Sequence, residues 1–343
     1  MTDRQWQALL ALLSGERLTP YPVGFIIDSP WLPHWAGMSI LDYFTSDELW
    51  LNANLRAIEA FPDVIFLPGF WAEYGMCTEP SAFGARCAFP PDEFPFARKS
   101  IPSVEAIDAL EPPNPRTDGL APFVLSRLSR FRKAIKDTGH KIRFSVSRGP
   151  LNVASFLMGV NEFLTAMVTD PDRVRRLLSV ITDYLAAWHA LQREAFPSID
   201  GVFVLDDIIG FIGEAHFREF GLPYFRALFD APAAVRFLHN DADCRASAPF
   251  LPEMGVNLLN MGYEVPLKDL KALTKNQVTL MGNIPPRDVL AAGTPEAVRA
   301  AVDAQFAALD DTTRILFSCG GGMPPGVPTE NIQAFVEAVR AHA

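Results

Sequence analysis

Val202-Phe203-Val204-Leu205-Asp206-Asp207 runs four apolar residues without interruption into two carboxylates. Val235-Arg236-Phe237-Leu238-His239-Asn240-Asp241 follows the same plan one helix-length later. A strand with one wet face alternates apolar and polar residues, whereas a strand covered on both faces does not. Such runs therefore predict parallel strands buried between two layers. Further runs of this character stand at 23–27, 64–67, 142–146, 256–259, 278–281 and 315–317, which makes eight. The segments between them carry helix signals. Thr45 with Glu48 reads as a capping box ahead of a helix over 49–60. Asp170-Pro171 supplies a cap and a first-turn proline to a long helix, in which Val174, Leu177, Leu178, Ile181, Leu185 and Trp188 recur at spacings of three and four. Thr294-Pro295-Glu296 and Pro328-Thr329-Glu330 open two more. Eight strands alternating with helices predict an α/β fold, a (β/α)8 TIM barrel forming one domain over 1–343, with an N-terminal helical extension and elaborated loops. The most Pro-rich region, 90–122, reads as one of those elaborated connections. The competing architecture is an open doubly wound sheet. It usually shows a Gly-rich turn after its first strand, and Asp28-Ser29-Pro30-Trp31 is nothing like one.

The chain has 343 residues, 49% of them hydrophobic, with 30 basic against 40 acidic side chains and a formal charge of −10. That balance argues against nucleic acid or an anionic membrane as partner, and the apolar content argues against disorder. Cys77, Cys87, Cys244 and Cys319 are scattered without a paired spacing, as expected of a reduced compartment. The apolar stretch 8–13 is too short for a signal-peptide core, and no window approaches the ~18 apolar residues of a spanning helix. A cytoplasmic location with no membrane follows as the expectation.

In a barrel, the chemistry projects from the C-terminal strand ends. Just past the eight runs stand Asp28, Glu73, Arg148, Asp206 with Asp207, His239, Asn260, Asn283 and Cys319. His239 heads His239-Asn240-Asp241-Ala242-Asp243-Cys244, and Cys319 follows the last strand at a similar height. An imidazole, a thiolate and the Asp241 carboxylate converging from two strand ends would hold zinc with one position open. The competing reading has Asp241 and Asp243 capping a helix that begins near Ala246. Only one of the adjacent carboxylates at 206 and 207 would face the axis. Asp206 is taken as a general base or substrate-orienting group, against the alternative that both cap a turn. Gly320, Gly321 and Gly322 would let backbone approach a ligand closely, without the lysine of a Walker loop or the spacing of a dinucleotide loop. Phe70, Trp71, Tyr74, Trp31, Trp35 and Phe94 would line an apolar cleft or, as is commoner, fill a satellite core under the loops. The chain has neither a GxSxG elbow nor an HExxH motif.

Several stretches, in this order and spacing, resemble the uroporphyrinogen decarboxylase superfamily, which also contains cobalamin-dependent methyltransferases. They are Gly149-Pro150-Leu151-Asn152-Val153-Ala154-Ser155-Phe156-Leu157-Met158-Gly159, Glu214-Ala215-His216-Phe217-Arg218-Glu219-Phe220-Gly221-Leu222-Pro223-Tyr224, Met281-Gly282-Asn283-Ile284 with Gly293-Thr294-Pro295-Glu296, and Gly322-Met323-Pro324-Pro325 with Pro328-Thr329-Glu330-Asn331. The resemblance spans nearly the whole chain and implies the same barrel. It implies the decarboxylase activity poorly. The segment 25–33 lacks the arginines that grip propionates, Pro68 stands near the place of an essential aspartate, and Gly321 takes the place of a histidine. The chain looks closer to the methyltransferase branch, the methylcobalamin:coenzyme M type. Those enzymes bind zinc through His-x-Cys after a middle strand and another Cys after the last. His239 falls on the histidine, Asp241 on the first cysteine, and Cys319 near the last.

The resemblance thus implies a corrinoid-linked, zinc-assisted methyltransferase. It would move methyl between cobalamin on a partner corrinoid protein and a small-molecule donor or acceptor, a methyl ether for instance. The implied metal ligands are His239, Cys319 and Asp241. Asp206, Glu73 and Arg148 would be catalytic, and Gly320, Gly321, Gly322 and Asn283 would lie against the cofactor. A homodimer is expected on the same ground. The alternatives are a metal-independent decarboxylase or lyase of another acid, acting through Arg148 and Asp206, and a non-catalytic tetrapyrrole-binding barrel.

Overall fold

The computed structural model describes residues 1–27 and 30–342, so the candidate Asp28 lies outside the described residues. Eight parallel strands, β1 (Val23–Ile26), β2 (Val64–Leu67), β3 (Phe144–Arg148), β4 (Gly201–Leu205), β5 (Val235–Asn240), β6 (Leu258–Met261), β7 (Thr279–Ile284) and β8 (Ile315–Cys319), form a (β/α)8 barrel. The ladder order is β2-β1-β8-β7-β6-β5-β4-β3, so every neighbouring pair except β2 and β3 shares backbone hydrogen bonds among the described residues. Side chains satisfy the backbone at that seam. Gln192, on the long helix Pro171–Ala195, accepts from the Val146 amide at 2.9 Å and donates to the Val146 carbonyl at 3.0 Å. Glu79, from the long β2–β3 connection, accepts from the Arg148 amide at 3.0 Å. An open strand edge is thereby covered.

The period of two divides the strand residues between two cores. Leu67, Phe144, Phe203, Leu205, Phe237, Leu258, Met281 and Leu316 fill the barrel interior, whose lower end is closed by Trp6 and Leu9 of the N-terminal helix Asp3–Ser14. Val202, Val204, Leu238, Leu259, Leu280 and Phe317 point the other way, into the layer beneath the helices. The expected N-terminal extension thus plugs the barrel bottom, with Trp6 edge-on to Phe144 at 5.6 Å. The barrel interior is left open at the C-terminal end of the strands.

Several predicted boundaries move. β3, β5, β6, β7 and β8 all end two or three residues later than the apolar runs, so Arg148, His239, Asn260, Asn283 and Cys319 stand in the strands rather than after them. A parallel ladder is made by backbone groups and continues through a polar residue whose side chain faces the mouth. The cap of Asp47–Ala60 is Ser46, whose hydroxyl accepts from the Leu49 amide. Thr45 instead ends the preceding helix Ile40–Thr45 and donates back to the Leu41 carbonyl. Asp170 and Thr294 cap as expected. No regular helix starts at Ala246. The segment turns, and Asp243 accepts from the Arg245 amide at 2.9 Å. No single helix among the described residues is long and apolar enough to cross a membrane. The bent pair Pro150–Met158 and Val160–Thr169 passes on length and composition only, with a 105° angle between its halves.

Candidate active site

A cavity of about 470 Å³ opens at the C-terminal end of the barrel, lined by Trp71, Glu73, Phe94, Arg148, Asp207, His239, Asp241, Tyr263, Glu264, Arg287, Gly320, Gly322 and Met323 among others. A second cavity, about 490 Å³, lies beside the N-terminal helix at the other end. Its Arg340 pairs with Asp63 at 2.9 Å. The candidate metal-binding cluster of the described residues, Asp207, His239 and Asp241, is at the mouth, with one donor atom of each within 4.8 Å of the others.

His239 is the pivot of the mouth. Its strand register sets it level with Leu205 on β4 and Asn260 on β6. Asn260 donates its amide N–H to the Met281 carbonyl at 2.8 Å, which turns its oxygen to His239 Nδ1 at 2.7 Å. Nδ1 must then carry a proton, and Nε2 is the nitrogen presented to the cavity. It lies 3.5 Å from Asp241 Oδ2 and 4.0 Å from Asp207 Oδ1. Burial opposes a charge on the ring, but Asp241 foremost, with Asp207 and Asn260, outweighs it and raises the imidazole to about 9. Burial works against charge on Asp241 as well, and the facing imidazolium and Arg287 hold its carboxyl below the usual range. With its proton gone, Nε2 and the two carboxylates could hold one divalent cation.

The carboxylates are placed by backbone contacts. Asp206 is fully buried and turned away from the cavity. Its oxygens accept from the amides of Leu151 and Asn152 at 2.9 and 3.0 Å, at the start of the helix Pro150–Met158, and from the Ile208 amide at 3.1 Å. A Cβ on Gly149 would lie 2.4 Å from Asp206 Oδ2, so glycine is needed there. Asn152 reciprocates by accepting from the amides of Asp207 and Ile208 at 3.1 and 3.2 Å. The expectation of Asp206 as the axial carboxylate is therefore corrected. Asp206 clamps the helix after β3 to the end of β4, and it is Asp207 that lines the cavity. Asp207 in turn accepts from the Asp241 amide at 2.7 Å, linking the two carboxylate-bearing loops.

The glycine stretch makes room for this arrangement. Gly321 has φ +71°, and a Cβ there would lie 2.0 Å from Asp241 Oδ1. Gly320 and Gly322 line the cavity, while Gly321 makes room for the Asp241 carboxylate. Asn283, expected against a cofactor, spends its amide on the Val265 and Gly262 carbonyls at 2.8 and 3.3 Å and so braces the loop carrying Tyr263 and Glu264. Cys319 is not brought to His239. On β8, Leu316 faces the barrel interior and Phe317 the helix layer, so three residues past Leu316 the Cys319 side chain joins the helix-layer core. It is fully buried, with Sγ 3.7 Å from the Gly321 carbonyl.

Arg148 and Glu73 do meet at the mouth, paired at 2.8 Å, with the guanidinium 5.9 Å from the Trp71 ring and 5.8 Å from the Phe94 ring. Of the loop aromatics, Trp71 and Phe94 line the cavity, whereas Trp31 packs into the core with its Nε1 donating to the Val327 carbonyl at 3.1 Å. Sequence reasoning missed Asp207 as a ligand candidate, and it missed Arg287 and Glu264. Asp207 had a visible signal in the doubled carboxylate, while Glu264 sits in a loop and Arg287 in the short helical segment Pro286–Ala291, neither with a pattern that marks it.

The chain matches the family model described as Uroporphyrinogen decarboxylase (URO-D) over residues 6–342, and it belongs to that family. Among its relatives is a uroporphyrinogen decarboxylase of Xylella fastidiosa, 27% identical over 278 residues and 76% of each chain. Another is a methylated-thiol–coenzyme M methyltransferase of Methanosarcina mazei, 25% identical over 224 residues, which are 65% of this chain and 59% of that one. A solved methyltransferase from Methanosarcina mazei superposes with a TM-score of 0.83 over 98% of both chains at 19% identity, a likeness of fold. The named relatives are enzymes, most of them uroporphyrinogen decarboxylases, with a methyltransferase among them.

Proposed function

We propose that this protein is a methyltransferase that moves a methyl group between a small organic substrate and a corrinoid carried on a partner protein, assisted by zinc. The observation that carries this reading is the donor set of His239, Asp207 and Asp241, with Asn260 fixing the imidazole tautomer. One imidazole nitrogen and two carboxylate oxygens fit zinc with a position left for substrate. Oxygen donors in place of thiolates make the ion a harder Lewis acid, which favours an oxygen-bearing methyl group such as a methyl ether. When bound, the ion would polarise the substrate heteroatom.

The chain's own residues would do the rest. Trp71 and Phe94 provide an apolar wall for the organic body, and the Arg148–Glu73 pair offers a fixed dipole beside it. Asp206 serves indirectly by holding Asp207. The cavity is lined by the carboxylates Glu73, Asp207, Asp241 and Glu264 against the guanidiniums Arg148 and Arg287. A substrate with many carboxylates would meet only two guanidiniums there, and Arg148 is already paired with Glu73, so a substrate with few charges is favoured over uroporphyrinogen. At about 470 Å³ the cavity suits a small molecule, and the corrinoid would stay with its carrier at the rim, near the half-exposed Tyr263.

The proton that His239 holds up to about 9 favours a second reading. In it, the imidazolium between two carboxylates is a metal-free general acid, in a lyase or decarboxylase of another small acid. Metal analysis of the purified protein, beside His239→Ala, followed by methyl transfer to cob(I)alamin and from methylcobalamin, tests both. We expect one zinc per chain, lost in the variant along with transfer. Metal-free wild-type protein inert towards every corrinoid ends the first reading, and chelator-resistant CO2 release selects the second.

A further inference from the structure

The connection after β2 carries a thiol pair that the mouth chemistry does not use. Cys77 ends the short turn Gly75–Cys77, and Cys87 begins a hairpin in which Cys87–Ala88 pairs antiparallel with Phe96–Ala97. Cys87 points its S–H at the Cys77 carbonyl oxygen, 3.9 Å away, and the two thiols hydrogen-bond to each other. Cys77 is buried, and Cys87 is half-buried. The bond donated by Cys77 lowers the Cys87 thiol, and that same bond, with burial, raises Cys77. The reachable sulfur is therefore the readier thiolate, and the hidden one keeps its proton. An attacking cysteine needs the first property, and the resolving one gives up its proton to the hydroxide that leaves the oxidised Cys87.

The two segments that carry these thiols also build one side of the mouth. Met76, beside Cys77, and Phe94, in the hairpin, both line the cavity. The Met76 amide donates to the Pro95 carbonyl at 2.9 Å. Gly75, at φ +59°, lets the hairpin come so close that an added Cβ would lie 2.8 Å from the Pro95 oxygen. In the thiol form, hydrogen bonds and packing hold hairpin to turn.

We propose that Cys77 and Cys87 are a peroxide-oxidised pair whose disulfide ties the hairpin to the turn beneath it and fixes the Met76–Phe94 side of the mouth. The Cys87 thiolate attacks one oxygen of hydrogen peroxide. An S–O bond forms, the O–O bond breaks, and hydroxide leaves as water with one proton. The Cys77 sulfur then attacks Cys87, the S–S bond forms, the S–O bond breaks, and the second water carries away the Cys77 proton. Two thiols and one peroxide become one disulfide and two waters, the sulfurs losing the two electrons that the peroxide gains. The inference does not depend on which group the cavity transfers.

Treating the reduced full chain with a small excess of hydrogen peroxide, then counting thiols, mapping peptides and following amide exchange, tests this. Two of the four thiols should disappear into a peptide linking residues 77 and 87, reversibly with dithiothreitol. Exchange across 88–96 should slow by about tenfold or more. Cys77→Ser should halt at a dimedone-reactive Cys87, and Cys87→Ser should consume no thiol. Sulfinic acid at Cys87 without a link, a link through Cys244 or Cys319, or four surviving thiols would each overturn the proposal.

Discussion

Gly321 and Asp241 act as one unit at the mouth, because the carboxylate occupies the space that any side chain at 321 would need. Gly321→Ala should therefore drive Asp241 away from His239 and weaken zinc binding by tenfold or more, roughly the loss of one ligand's orientation. Alanine at φ +71° also carries backbone strain of about 1–2 kcal/mol. Gly326→Ala is the matched control, since Gly326 has φ +89° with open space around it. It should lower the melting temperature similarly and leave zinc titrations unchanged. His239 adds a pH signature. Its folded value, about 9, lies above the free value of 6.5. The proton thus stabilises the metal-free fold fully below 6.5, and that contribution is lost as pH rises through 9. A metal ion must displace the same proton. Calorimetry in buffers of different ionisation heat should show one proton released per ion at pH 7, with affinity rising about tenfold per pH unit and levelling near 9. His239 and Asp241 were legible as candidates because they stand within three residues of the end of an apolar run. Asp207 was not separable from Asp206 on that ground.

Among the elements, the seam between β2 and β3 is where the barrel relies on side chains instead of a ladder. Gln192 supplies both hydrogen bonds for Val146, at 2.9 and 3.0 Å. Gln192→Leu keeps the bulk and strands one donor and one acceptor, so denaturant unfolding should show a loss of about 2–4 kcal/mol with an unchanged slope. Gln192 gave no sign of this in the sequence, being one polar residue on an otherwise amphipathic helix. The helix itself was legible, since Asp170-Pro171 and the apolar stripe from Val174 to Trp188 are local signals. Thr45 misled because Thr45 and Ser46 are adjacent cap formers, and the choice between them rests on where the preceding helix stops. The motif around Gly149 and Asn152 also changes meaning at this scale. Its glycine and amide lock the helix after β3 onto the Asp206 end of β4, and so reach the cavity only through Asp207.

At the scale of the whole molecule, the N-terminal helix closes the barrel floor, so the barrel interior opens above the strands. The count of eight apolar runs, their alternation with helices and the polar residues at their ends were all determined by the sequence, because period and capping are properties of a few neighbouring residues. Which face each strand residue takes was decided only by the tertiary structure. In Val202-Phe203-Val204-Leu205 and Ile315-Leu316-Phe317 both faces are buried in apolar surroundings, inside the barrel or beneath the helices, so no hydrophobic contrast marks the inward side. Closure of the barrel sets that parity. It turns His239, Asp207 and Asp241 toward one another and sends Cys319 into the helix layer.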